Sequence, residues 1–125
     1  RMYRLRGKDI EQVTEDHSWV GELRKKNLIS ADDARRHPLK NIITRALGME
    51  ATVLVDAAIA RTKPGDLYLF CTDGLTDLVT DSEIHSLVTK TSANLAKAVR
   101  TLIDEANDLG GIDNCTVGLC RITAA

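Results

Sequence analysis

The sequence predicts an α+β fold in which helices pack on antiparallel β-sheet, and three observations carry that expectation. Apolar strand-like runs at 66–72 and 115–122 flank a stretch of helical periodicity. Ser30 with Asp33, and Thr80 with Glu83, have the three-residue spacing of capping boxes, which mark helix starts. Strand-like segments come in groups, with helices between the later ones, as expected for helices laid on antiparallel sheet rather than a regular βαβ alternation. The order of strands within the sheet is left open.

Taken in order, "RMYRLR", Gly7-Lys8 and "DIEQVT" read as a β-hairpin with glycine at the turn. In "SWVGELRKKN", Trp19, Val20 and Leu23 suit a short helix beginning near Ser18. Ser30 opens the next helix, and His37-Pro38 ends it. "NIITRALG" is expected to form a short helix-like turn stopped by Gly48. "TVLVDAAIA" (52–60) and "DLYLFCT" (66–72) are predicted strands, joined across the Lys63-Pro64-Gly65 turn. Thr80 opens a helix through "DSEIHSLVT". The strongest helix runs from about Ser92 to Asp108, with Leu95, Val99, Leu102, Ile103 and Ala106 at helical spacing and Gly110-Gly111 as its stop. In the closing "CTVGLCRI", Cys115, Val117 and Leu119 share one strand face by period two.

Composition limits the function classes. The 125 residues are one domain's worth of chain, and 43% hydrophobic with 28% charged residues is ordinary for a globular protein. A net charge of −1, with basic residues scattered, gives no support for nucleic-acid or membrane attraction. "LRKK" and "ARRH" read as solvated helix faces. No apolar run approaches the ~20 residues of a bilayer span, and the N-terminus has no signal-peptide pattern. Cys71, Cys115 and Cys120 are odd in number, lack metal-finger spacing and lie in apolar runs. They read as buried thiols of a reducing cytoplasm.

The chemistry concentrates in two aspartates. Asp73 follows an apolar strand and precedes Gly74; Asp113 follows Gly110-Gly111-Ile112 and precedes Asn114 and the last strand. If those strands are antiparallel neighbours, both carboxylates meet at one sheet edge. Converging hard oxygens suit Mg²⁺ or Mn²⁺, which take few protein ligands and complete their shell with water. Asp-Gly and Asp-Asn are also common turn dipeptides, so spacing alone leaves both readings open.

Longer segments narrow the choice. "GDLYLFCTDGLTDLVTDSEI" resembles the GD-x-LLL-C-[ST]-DGL-[TS]-D segment of the metal-dependent serine/threonine protein phosphatases of the PPM, or 2C, type. "RMYRLRGKDIEQVTEDHS" resembles the hairpin leading to that family's T-x-DHS element. "ISADDARRHPLKNIITRALG" resembles the stretch that includes its flap, in the form closest to bacterial members. "GGIDNCTVGLC" resembles its closing G-x-DN-x-T-V motif. Nearly all of the chain is covered, in family order.

This resemblance implies that residues 1–125 are the C-terminal portion of a single phosphatase domain, part of an α-β-β-α sandwich lacking its N-terminal strands, with the flap segment at about 14–48. It implies that Asp73 and Asp113 ligate one metal of a binuclear Mg²⁺/Mn²⁺ centre, with Asn114 supporting that loop. The implied reaction is hydrolysis of phosphoserine or phosphothreonine in a phosphoprotein substrate by metal-activated water. The family's phosphate-binding Arg, its acidic pair and its metal-bridging Asp-Gly have no counterpart here, and Arg1 matches the Arg of "GDSR". The chain alone is therefore expected to be inactive, and to self-associate through exposed strand edges. The alternative is a non-catalytic phosphatase-like module that binds or regulates a partner. His17 reads as a helix-start residue, His37 as a helix end, His85 as a surface residue, Asp77 as a turn or cap, and Trp19 as packing under the flap helix. Thr14 and Ser18 have no paired base, so nucleophilic catalysis is unsupported.

Overall fold

The computed structural model describes residues 1–124, in two compact units. Of the described residues, the larger comprises 1–14 and 61–124, and the smaller 15–60.

The larger unit is an antiparallel four-stranded sheet backed by helices. Strands β1 (Met2–Arg6) and β2 (Asp9–Gln12) form the expected hairpin, with Gly7 at φ +60° in its turn. Strand β3 (Leu67–Cys71) pairs with β1 on one side and with β4 (Val117–Arg121) on the other, giving the order β2-β1-β3-β4. Alternation along β3 sends Leu67, Leu69 and Cys71 to one face. There they join Tyr3 and Leu5 of β1, and Leu75 and Val79 beyond the strand. Ile84 and Val88 of α4 (Asp81–Thr91), and Leu102 and Ala106 of α5 (Leu95–Asp108), complete the same core. The buried Tyr3 hydroxyl donates to Asp81 Oδ1 at 3.1 Å, so the polar end of the largest fully buried side chain is satisfied. Both anticipated capping boxes form: the Thr80 and Ser30 side chains each accept from the backbone N–H three residues on, and Glu83 and Asp33 reach back.

The smaller unit holds α1 (Trp19–Lys25), capped by Ser18, and α2 (Ala31–Arg36), capped by Ser30 and ended at His37.

Several expectations need correction. Residues 52–60 form no strand; Leu54, Val55 and Ile59 are exposed and make no ladder. Their β-branched and apolar composition favours strand, but an unpaired strand leaves its backbone groups to water, and pairing decides. The 41–48 segment is not helical either. Trp19 N–H donates to Ile42 O at 2.9 Å and Thr44 N–H to His17 O at 2.9 Å, making an isolated bridge between Ser18 and Ile43. The Ile42-Ile43 pair is β-branched and poorly suited to a helical turn. Helix α5 begins at Leu95 rather than Ser92, because Asn94 accepts from Lys97 N–H at 3.0 Å and sets its start. Of the three thiols only Cys71 is buried; Cys115 is half-buried and Cys120 exposed. Cys120 lies opposite Tyr68, on the sheet face turned away from the helices. Trp19 is 47% exposed rather than packed away.

At the start of β3, Asp66 is 1% exposed and gripped from two directions. Arg6 donates to both its oxygens at 2.6 Å, and Lys63 N–H donates to Oδ2 at 2.8 Å. These bonds, the Arg6 guanidinium foremost, lower its pKa from 3.8 to about 2. A depressed folded pKa means the carboxylate stabilises the fold above about 4 and loses that contribution as pH falls toward 2. Urea midpoints should therefore drop over that acid range in the native chain. Asp66→Asn should lower the midpoint at neutral pH and flatten the acid slope; an unchanged slope would contradict the pairing.

Candidate metal centre

Strand β3 carries the chain to Thr72, and β4 carries it away from Thr116. Because Cys71 pairs with Val117 in an antiparallel ladder, the segments just beyond that pair lie side by side. Thr72 N–H donates to Thr116 O at 3.1 Å, extending the ladder past the regular strands. The Thr72 hydroxyl accepts from Thr116 N–H at 3.0 Å and donates to Asn114 O at 3.2 Å.

Asp73 opens a four-residue helix, α3 (Asp73–Thr76), where the sequence suggested only a turn. Leu75 on this helix is fully buried and Asp77 N–H donates to Asp73 O at 2.8 Å, so Asp73 sits on a short, anchored element. Gly74 abuts the Asp113-Asn114 peptide. A Cβ there would lie 2.3 Å from Asn114 O and 3.3 Å from Asp113 O. The absent side chain is what lets the two segments touch. On the facing loop, Asp113 Oδ1 accepts from Asn114 N–H at 2.7 Å, which orients the carboxylate against its own backbone. Asp73 and Asp113 are both exposed, so an ion can reach them from solvent.

The structure thus brings the backbones of the two sequence-predicted positions together, 40 residues apart in the chain. Two exposed carboxylates are hard anionic donors, the chemistry Mg²⁺ or Mn²⁺ prefers. Among the described residues, however, no group of three or more His, Cys, Asp or Glu side chains gathers where it could hold a metal. The donor set here fits part of an oxygen-rich site, with water or further ligands completing it.

The other polar residues that the sequence singled out have their own places in the fold. Asp77 is the C-cap of α3. His85 Nε2 lies 3.1 Å from Gly7 O, tying α4 to the hairpin turn, and His37 Nδ1 accepts from Leu39 N–H at 3.1 Å. Within the smaller unit, His17, as expected, precedes the helix cap. It also meets Asp56 Oδ2 at 2.6 Å, while Arg45 donates to Asp56 Oδ1 at 3.0 Å and to Leu54 O at 3.2 Å. The His17 and Arg45 bonds hold the Asp56 carboxyl below its usual range. No local pattern links positions 17, 45 and 56, so sequence reading missed this cluster. It also missed the Thr72 hydroxyl, which has no spacing signature.

The fold matches part of solved bacterial serine/threonine phosphatases, one of them described as of the PPM type, and the chain is homologous to bacterial serine/threonine phosphatases. The serine/threonine phosphatase stp of Listeria welshimeri is 42% identical over 117 residues, 94% of this chain and 46% of that protein. Stp1 of Staphylococcus aureus superposes with a TM-score of 0.91 at 36% identity, over 99% of this chain and 48% of that one. The catalytic domain of the phosphatase PstP, solved with two manganese ions, gives a TM-score of 0.80 at 33% identity, over 99% of this chain and 50% of that one. The chain spans about half the length of the curated relatives it matches. No family model matches it.

The packing makes one substitution diagnostic. Gly74→Ala places a methyl against a backbone carbonyl that cannot rotate away, so either α3 or the Asp113 loop must move. Chemical denaturation should show a loss of about 1–3 kcal/mol, the range for overpacking. A neutral result would mean that the two segments are not in contact.

Proposed function

We propose that this chain is the C-terminal portion of a Mg²⁺- or Mn²⁺-dependent protein phosphatase that hydrolyses phosphoserine and phosphothreonine in cytoplasmic phosphoproteins. The observation that carries this reading is the contact of Gly74 with the Asp113-Asn114 peptide at the end of the β3–β4 ladder. It joins the segments that carry Asp73 and Asp113, the two residues that the sequence resemblance implies as ligands. Homology to bacterial serine/threonine phosphatases and the two manganese ions of the PstP structure support it.

In this reading Asp73 and Asp113 bind a divalent ion, Asn114 and Gly74 fix how the Asp113 loop meets α3, and no side chain of the chain acts as a nucleophile. A binuclear centre, when filled, supplies a bound water of lowered pKa and neutralises phosphoryl oxygens. Two carboxylates are too few for such a centre. The remaining ligands are assigned to the half of the relatives' length that this chain does not span, and the chain alone is expected not to turn over phosphopeptide.

The test is to join the chain to an N-terminal half carrying the missing motifs and assay phosphopeptide hydrolysis with Mn²⁺. The joined protein should be active. Asp73→Asn or Asp113→Asn should each cost more than the roughly 10–100-fold that loss of an outer support gives. An inactive joined protein, or activity indifferent to both substitutions, would sink the proposal. Robust turnover by the 125-residue chain alone would contradict its incompleteness.

A further inference from the structure

Thr72 has the residue type and backbone shape of a helix N-cap, with φ −81° and ψ 168°, yet its side chain makes no capping bond to α3. Threonine at this position ordinarily accepts from a backbone N–H inside its own helix. Here the hydroxyl points across the sheet instead. It accepts from Thr116 N–H and donates to Asn114 O, so its one donor and one of its two acceptor sites are directed at the facing loop. The ladder bond from Thr72 N–H to Thr116 O already aligns the backbones, so the hydroxyl adds a second tie one step further along. That tie joins the residue immediately before Asp73 to the residue immediately after Asp113.

We propose that the Thr72 hydroxyl is a positioning group that clasps the Asp113 loop to the end of β3 and so presets the arrangement of the two carboxylates for a divalent cation. This rests on the reading of Asp73 and Asp113 as ligands. Thr72 touches neither ion nor substrate in this account; it acts through the backbone of Asn114 and Thr116. The bonds it makes are solvent-exposed, so water can replace them and the loss to global stability is small. The cost falls on pre-organisation. Without the clasp, an ion must order the loop as it binds, and its affinity drops by that ordering cost.

The experiment compares the 125-residue chain with its Thr72→Val, Thr72→Ser, Asp73→Asn and Asp113→Asn variants. Mn²⁺ affinity is read by titration with electron paramagnetic resonance, and backbone protection by amide hydrogen exchange at Thr116. Thr72→Val keeps the side-chain shape without the hydroxyl, and should weaken Mn²⁺ by roughly 10–100-fold, the range for groups that orient a ligand. It should also speed exchange at Thr116. Thr72→Ser restores the hydroxyl and should recover both readouts, which a role in bulk packing would not predict. If Asp73→Asn and Asp113→Asn abolish Mn²⁺ binding while Thr72→Val leaves affinity unchanged, the clasp is overturned and the metal reading stands. If Mn²⁺ binding is absent, or indifferent to both aspartates, the metal reading fails and takes the clasp's function with it.

Discussion

The antiparallel pairing of β3 with β4 is the constraint on which the rest depends. It ties β4, the last strand in the sheet order, to the interior strand β3, and it sets which residues face the helices and which segments meet beyond the strand ends. A slip of one residue would turn Leu67, Leu69 and Cys71 away from the core and carry Asp113 out of step with Asp73. Both ends of the ladder are pinned against such a slip. At one end Gly65 N–H donates to Ile122 O at 2.8 Å and Ile122 N–H to Asp66 O at 2.9 Å, beside the Arg6–Asp66 pair. At the other, Thr72 and Thr116 exchange bonds and Gly74 closes on Asn114.

The core makes that register cooperative. Leu69, Leu75, Ile84, Val88 and Leu102 are fully buried and come from β3, the segment after it, α4 and α5. Displacing β3 would expose apolar surface from each of them, and burial of such side chains is the dominant favourable contribution to folding. The candidate site is thus the exposed tip of a rigid, buried framework. Its two carboxylates belong to segments whose backbone positions are decided by packing elsewhere.

Much of this was legible in the sequence where local chemistry decides structure. The two capping boxes, the glycine hairpin turn, the helix stop at Gly110-Gly111 and the shared face of Val117 and Leu119 in the last strand, which starts after Cys115, each depend on residues a few positions apart. Asp73 and Asp113 were legible as candidates because each lies near a strand end, Asp73 beside Gly74 and Asp113 two residues after Gly111, and the ordered motifs pointed to bacterial phosphatases. The failures share a cause. The 52–60 run has strand composition but no partner, the Ile42-Ile43 segment finds a single bridge, and the His17–Arg45–Asp56 cluster and the Thr72 hydroxyl depend on contacts between distant positions. Composition reports what a segment prefers, and tertiary pairing decides what it receives.

The most direct measurement is an anomalous difference map from crystals of the chain soaked in Mn²⁺. The account predicts a peak coordinated by the carboxylates of both Asp73 and Asp113, at the oxygen–metal distance of about 2.0–2.2 Å usual for small hard dications. A map without that peak, or one in which the two side chains diverge and the ion sits elsewhere, would contradict it.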